Sequence, residues 1–78
     1  MKIRSYKWGY AWLHVLTEDF INYAVYIEER KFSYRKIPSS LPSRRKKFPS
    51  DCQTLEQKRN YLEALIKIGA LQDLLEEV

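Results

Sequence analysis

Apolar and polar residues alternate with a period of two through the first part of the chain. Between residues 5 and 16, one parity carries Tyr6, Trp8, Tyr10, Trp12, His14 and Leu16. Because successive side chains of a β-strand point to opposite faces, this pattern predicts one strand with an aromatic face, bent at Gly9. We expect Trp12 and Leu16 to pack on the C-terminal helix, and Trp8 and Tyr10 to be the exposed members of this stripe.

A second alternating stretch spans residues 21–27, and after a charged segment a third follows at residues 32–37. Together they predict a β-hairpin. A competing interpretation makes residues 17–31 a helix that is capped by Thr17 and has an acidic first turn. The Ile, Val and Tyr residues of the second stretch favour the strand, and the helix stays open as the alternative.

The segment from Pro38 to Pro49 interrupts the periodicity. It contains all three prolines of the chain and the basic run Arg44-Arg45-Lys46-Lys47. Proline lacks a backbone donor and restricts the residue before it, so we expect an exposed, irregular loop here.

In the last part of the chain the apolar residues recur with a helical period. Thr54 and Gln57 have the spacing of a capping box, which predicts the start of a helix, and Gly69 predicts its end. Beyond this glycine, a new apolar stripe predicts a short second helix or a kinked continuation. The stripe consists of Leu71, Leu74, Leu75 and Val78.

These patterns predict one small α+β domain over residues 1–78, with a β-rich part (1–37), a proline-rich basic loop (38–49) and a helical part (50–78). We expect a small three-stranded antiparallel sheet packed against a C-terminal helix or kinked helix pair.

The composition limits the cellular compartments in which we expect the protein. No apolar stretch approaches the 18 or so residues of a membrane helix, and no apolar run near the N-terminus resembles a signal peptide. Cys52 is the only cysteine, and small secreted domains usually contain several. We therefore expect a cytoplasmic protein without membrane contact.

Catalytic motifs are absent from the sequence. His14 is the only histidine, and no flanking motif makes it a catalytic partner of Cys52. One histidine and one cysteine do not supply the three or four ligands of a zinc site, and the chain's two glycines do not form a phosphate-binding loop. We expect a non-enzymatic protein with no cofactor and no metal.

The basic run is the clearest interaction signal, in a chain of net charge +4. It suggests contact with nucleic acid or an acidic protein surface, while a solvated loop that aids solubility is the alternative explanation. The residues expected to bind nucleic acid are the run and the cations of the predicted hairpin, namely Arg30, Lys31, Arg35, Lys36, Arg44, Arg45, Lys46 and Lys47.

A second functional hypothesis is a small regulator or inhibitor, of the kind that phages and mobile elements encode, that binds another protein. Its interface would consist of Trp8, Tyr10, Leu71, Leu74, Leu75 and Val78, and the C-terminal helix is also a candidate homodimer contact. Aromatic residues beside cations on a sheet can also stack unpaired bases, although packing in the core is the favoured interpretation of the stripe.

Overall fold

The computed structural model describes residues 2–78, which form five β-strands followed by two α-helices. The elements are β1 (Ile3–Trp8), β2 (Trp12–Thr17), β3 (Asn22–Ile27), β4 (Lys31–Ile37), β5 (Arg44–Lys47), α1 (Leu55–Lys67) and α2 (Ala70–Glu76). The strands form one antiparallel sheet in chain order, β1-β2-β3-β4-β5. The expected α+β class, the antiparallel sheet and the helical C-terminal part are confirmed, but the expected count of three strands was wrong.

One additional strand arises because the first alternating stretch is divided by a tight turn. The amide of Gly9 donates a hydrogen bond of 2.9 Å to the carbonyl oxygen of Trp12, and this bond closes the turn. The register then places Trp8 directly opposite Leu13, so β1 and β2 pair as a hairpin.

This turn divides the aromatic stripe between the two faces of the sheet. Tyr6 lies opposite the buried Val15, on the side of the helices. Trp12 and Leu16 have the other parity on β2 and lie on the face away from the helices. The expectation that Trp12 and Leu16 pack on the C-terminal helix was therefore wrong.

The second additional strand is the basic run itself. Residues Arg44–Lys47 pair antiparallel with β4, with Arg44 opposite Tyr34 and Lys47 opposite Lys31. The prolines at 38, 42 and 49 flank this strand and leave its backbone donors intact, so the prediction of an irregular loop was wrong for residues 44–47.

Between residues 17 and 31 the strand interpretation is confirmed and the helix alternative was wrong. Thr17 ends β2 and does not cap a helix. Its hydroxyl oxygen accepts a bond of 3.1 Å from the amide of Ile21 across the turn into β3. The β-branched and aromatic residues of β3 pair with both neighbouring strands, where such side chains pack well.

Helix α1 begins at the predicted capping box, and the predicted break at Gly69 separates it from α2. Thr54 caps α1: its hydroxyl accepts from the Gln57 amide at 3.1 Å, and the Gln57 side-chain oxygen accepts from the Thr54 amide at 3.0 Å. Gly69 has φ of +79°, a left-handed conformation that glycine adopts without steric cost, and it separates α1 from α2.

Both helices pack on the same face of the sheet. The core lies between Leu13, Val15 and Val25 of the sheet and Leu62 of α1, with Leu71 and Leu75 of α2 closing it; all six side chains are fully buried. Phe32 lies 5.0 Å, centroid to centroid, from Phe48, which comes directly after β5 and joins the edge of the sheet to this core. The opposite face of the sheet contributes nothing to this core.

Candidate nucleic-acid interface

The strand register defines a sheet face that no helix covers, which we call the outer face. Trp12, Tyr26, Ser33 and Arg45 form one row across four neighbouring strands of this face. The apolar residues of the outer face, including the buried Ala24, lie outside the hydrophobic cluster that joins the helices to the sheet. The outer face consists of Ser5, Lys7, Trp12, His14, Leu16, Asn22, Ala24, Tyr26, Lys31, Ser33, Arg35, Ile37, Arg45 and Lys47.

Positive charge is concentrated on the strands. Of the fourteen Lys and Arg residues, nine lie in β1, β4 and β5, and none of the ten Asp and Glu residues lies in any strand. The acidic side chains occupy turns, the 48–54 loop and the helical part. The strand cations are Arg4, Lys7, Lys31, Arg35, Lys36, Arg44, Arg45, Lys46 and Lys47.

Strand β5 lies at one edge of the sheet, and its four cations are all exposed. Alternation directs Arg45 and Lys47 to the outer face and Arg44 and Lys46 to the other side of the edge. Within residues 2–78 their only ion pair joins Arg45 to Glu28 at 3.9 Å, between two largely exposed side chains. Such an exposed pair contributes little, so this edge has a largely uncompensated positive charge.

The other predicted nucleic-acid residues divide between the two faces. Lys31 lies opposite Lys47 on the outer face, and Arg35 lies opposite Ala24 on the same face. Lys36 lies opposite the buried Tyr23 and is therefore on the helix side. Arg30 is exposed in the turn before β4. The structure thus brings Lys31, Arg35, Arg45 and Lys47 together on one surface, with Lys36, Arg44 and Lys46 on the other side of the sheet.

Two aromatic side chains share the outer face with these cations. Trp12 and Tyr26 are directly opposite each other on β2 and β3, and each retains about two fifths of its side-chain exposure (40% and 39%). The indole of Trp12 lies against Gly9 so closely that a β-carbon there would overlap the ring. Sequence reasoning did not identify Tyr26, because its place beside Trp12 depends on the β2–β3 register.

The centre of the outer face is recessed, because the middle strands carry small side chains there. Ala24 and Ser33 are both buried, although no helix covers them. Next to Ala24, His14 Nε2 and Asn22 Oδ1 are 2.9 Å apart, within hydrogen-bond distance. Nε of Arg35 is buried and has no hydrogen-bond partner within residues 2–78. Buried donors are usually paired, so this guanidinium has unused hydrogen-bonding capacity.

Trp8, which we expected to be exposed, instead joins β1 to α1. Its indole N–H donates to Glu63 at 3.4 Å, and the Arg59 guanidinium lies 4.9 Å from its ring centroid. Tyr6 donates to the other oxygen of Glu63 at 2.7 Å, and this hydrogen bond to a carboxylate is the main reason that the pKa of Tyr6 is raised. Trp8 is therefore held within the fold, whereas Tyr10 is 81% exposed in the β1–β2 turn.

The leucines proposed as a protein interface belong mainly to the core. Leu71 and Leu75 are fully buried, and the half-buried Leu74 and Val78 pack against the same core. A partner could not contact Leu71 or Leu75 without opening the fold. This removes the central part of the predicted leucine interface and of the predicted homodimer contact.

The structure separates the two residues that would form a catalytic dyad. His14 lies on the outer face, whereas Cys52 packs against the core on the helix side. Burial raises the pKa of the Cys52 thiol, which disfavours the reactive thiolate. Across residues 2–78, no three His, Cys, Asp or Glu side chains are placed to hold a metal ion.

Neither helix of the described chain has the length and apolar character to cross a membrane. No protein-family model matches the chain, and no similar curated protein or solved structure was found.

Proposed function

We propose that this protein is a non-enzymatic binding module that contacts the phosphate groups of nucleic acid through the cations of its sheet. The observation that carries the proposal is the charge of the outer face: Lys7, Lys31, Arg35, Arg45 and Lys47 lie on it, and no acidic residue lies in any strand. A surface of one charge sign attracts a polyanion and releases the counterions condensed on it.

The positions of some of these cations lower the stability of the sheet. Lys31 and Lys47 lie directly opposite each other on neighbouring strands, and like charges in this position are destabilising. A charged edge strand does prevent edge-to-edge association of sheets, but that role concerns the edge alone. Here the cations continue onto β4 at Arg35 and to the far edge of the sheet at Lys7. This extension supports a polyanionic ligand as the reason for their presence.

The test compares two double variants that remove the same charge. Arg45→Thr/Lys47→Thr removes two outer-face cations and retains strand propensity, whereas Lys2→Thr/Lys67→Gln removes two cations outside the strands. Binding of each protein to a DNA duplex, a DNA single strand and an RNA single strand is measured at several salt concentrations.

The first variant should reduce the slope of log affinity against log salt by about 2 for duplex DNA, because each neutralised phosphate contributes about 0.9. The control variant should retain the wild-type slope. If wild type binds none of the three nucleic acids above a neutral control protein, the proposal fails and a protein partner becomes the hypothesis to pursue.

A further inference from the structure

We infer that the outer face binds unpaired bases of single-stranded nucleic acid, with Trp12 and Tyr26 as the stacking surface and the surrounding cations on the backbone. The inference rests on the proposed function and assigns its ligand class and its aromatic residues.

The aromatic pair has the placement that base stacking requires. Trp12 and Tyr26 are neighbours across β2 and β3, and both are partly exposed on a face that no helix covers. Exposed aromatic neighbours on a strand pair have no function in the core, since the core lies on the other side of the sheet. Every base has a π-face, so such a surface accepts unpaired bases with little regard to sequence.

The cations lie where the backbone of a stacked strand would run. Arg45 is in the same row as Trp12 and Tyr26, separated from them by the small Ser33. Arg35 lies in the adjacent row, and its Nε has no partner within the described residues. The recessed centre of the outer face therefore lies between the rings of Trp12 and Tyr26 and the guanidinium groups of Arg35 and Arg45. A nucleotide has a base that can stack on the rings and a phosphate that can bind the guanidinium groups.

The form of the surface favours a single strand over a duplex. The five strands, spaced by about 4.8 Å, give a face about 19 Å wide, and both helices of the described chain pack on the opposite face of the sheet. Bases in a duplex are stacked on each other and present only their edges, so Trp12 and Tyr26 could not reach their π-faces. Unpaired bases can turn toward the rings.

The experiment uses substitutions that remove an aromatic ring and retain apolar bulk. Trp12→Leu and Tyr26→Leu are compared with Tyr10→Leu, which removes an aromatic ring of the same type as Tyr26 from the exposed β1–β2 turn, outside the outer face. The probes are oligouridylate and oligothymidylate of about ten nucleotides, long enough for a site at the small end of the known range, and a DNA duplex of the same length.

We expect wild type to bind the single strands more tightly than the duplex. Trp12→Leu and Tyr26→Leu should each weaken single-strand binding by about 5- to 150-fold, the range for loss of one base–aromatic stack, and Tyr10→Leu should leave it unchanged. In a Trp8→Phe chain, Trp12 is the only tryptophan, and its fluorescence should be quenched when oligothymidylate binds.

The failure of this inference differs from the failure of the proposed function. If duplex and single strands bind equally well and neither Leu substitution at Trp12 or Tyr26 weakens binding, the stacking surface is refuted, while phosphate binding by the sheet stands. If wild type binds no nucleic acid, both are refuted. Circular dichroism of each variant shows whether it is folded, so that a loss of binding can be distinguished from a loss of fold.

Discussion

The indole ring of Trp12 occupies the space in which a side chain at Gly9 would begin. The two residues also share the backbone hydrogen bond that closes the β1–β2 turn, from the Gly9 amide to the Trp12 carbonyl. Gly9 therefore permits the turn and the position of the ring together, and the outer-face aromatic pair depends on a glycine that lies outside both strands.

Gly9→Ala should displace the Trp12 ring and lower the free energy of unfolding by about 1–3 kcal/mol, the usual range for an added methyl group in a filled site. The measurement is the urea midpoint of the single variant, of Trp12→Ala and of the double variant. Because the clash requires the indole, the cost of Gly9→Ala should nearly vanish in the Trp12→Ala background. An equal cost in both backgrounds would show that the backbone, and not the ring, excludes the alanine.

The buried face of α2 can be tested with one substitution and one control. Leu75 is fully buried, and Leu75→Ala should destabilise the protein by about 2–5 kcal/mol through lost burial and the cavity left behind. Ile68, the residue directly after α1, is 75% exposed, and Ile68→Ala should change stability by less than about 0.5 kcal/mol. Denaturant unfolding measures both. Similar small effects at the two positions would mean that α2 is not packed on the sheet.

The start of α1 depends on the reciprocal bonds between Thr54 and Gln57. Thr54→Ala removes the hydroxyl acceptor of the Gln57 amide and should cost about 0.5–2 kcal/mol, whereas Thr54→Ser retains the acceptor and should cost little. Helical circular dichroism and the thermal midpoint are the measurements. If both variants are as stable as wild type, the capping box does not contribute to stability.

The sequence revealed those parts of the fold that depend on local chemistry. The capping box at Thr54, the helix end at Gly69 and the strand character of residues 22–27 each follow from a few neighbouring residues, and each is present. The β1–β2 turn was missed because it lacks the Asn-Gly signature of a tight hairpin and because alternation continues across it. The aromatic residues stay on even-numbered positions before and after the turn, so in the sequence the two strands look like one continuous strand.

Strand β5 could not be found from the sequence for a different reason. The run Arg44–Lys47 has no apolar residue to create a strand pattern, and its pairing with β4 is a long-range interaction. The cations of the candidate site could be predicted, because the basic residues can be read directly from the sequence. The aromatic part was not, since the neighbourhood of Trp12 and Tyr26 depends on a register that only the folded sheet supplies.

The bond between Tyr6 and Glu63 predicts a specific dependence of stability on pH. The hydrogen bond to the carboxylate is the first cause of the raised pKa of Tyr6, followed by burial and the negative charge of Glu63. A raised pKa means that the folded protein retains this proton where the unfolded chain has begun to lose it. The contribution is therefore complete below the unfolded tyrosine value of about 10, and it is lost as the pH rises through the higher folded value.

We expect Tyr6→Phe to lower the free energy of unfolding at pH 8 by no more than about 1 kcal/mol, since the pair is largely exposed. The difference from wild type should remain constant up to about pH 9 and shrink above about pH 10. All other ionisable groups are common to both proteins, so the difference isolates Tyr6. In a Glu63→Gln background, most of this pH dependence should disappear, because the carboxylate that raises the pKa is gone. Urea unfolding at pH 8, 9, 10 and 11 measures all four proteins, and a Tyr6→Phe effect that grows with pH would contradict the assignment.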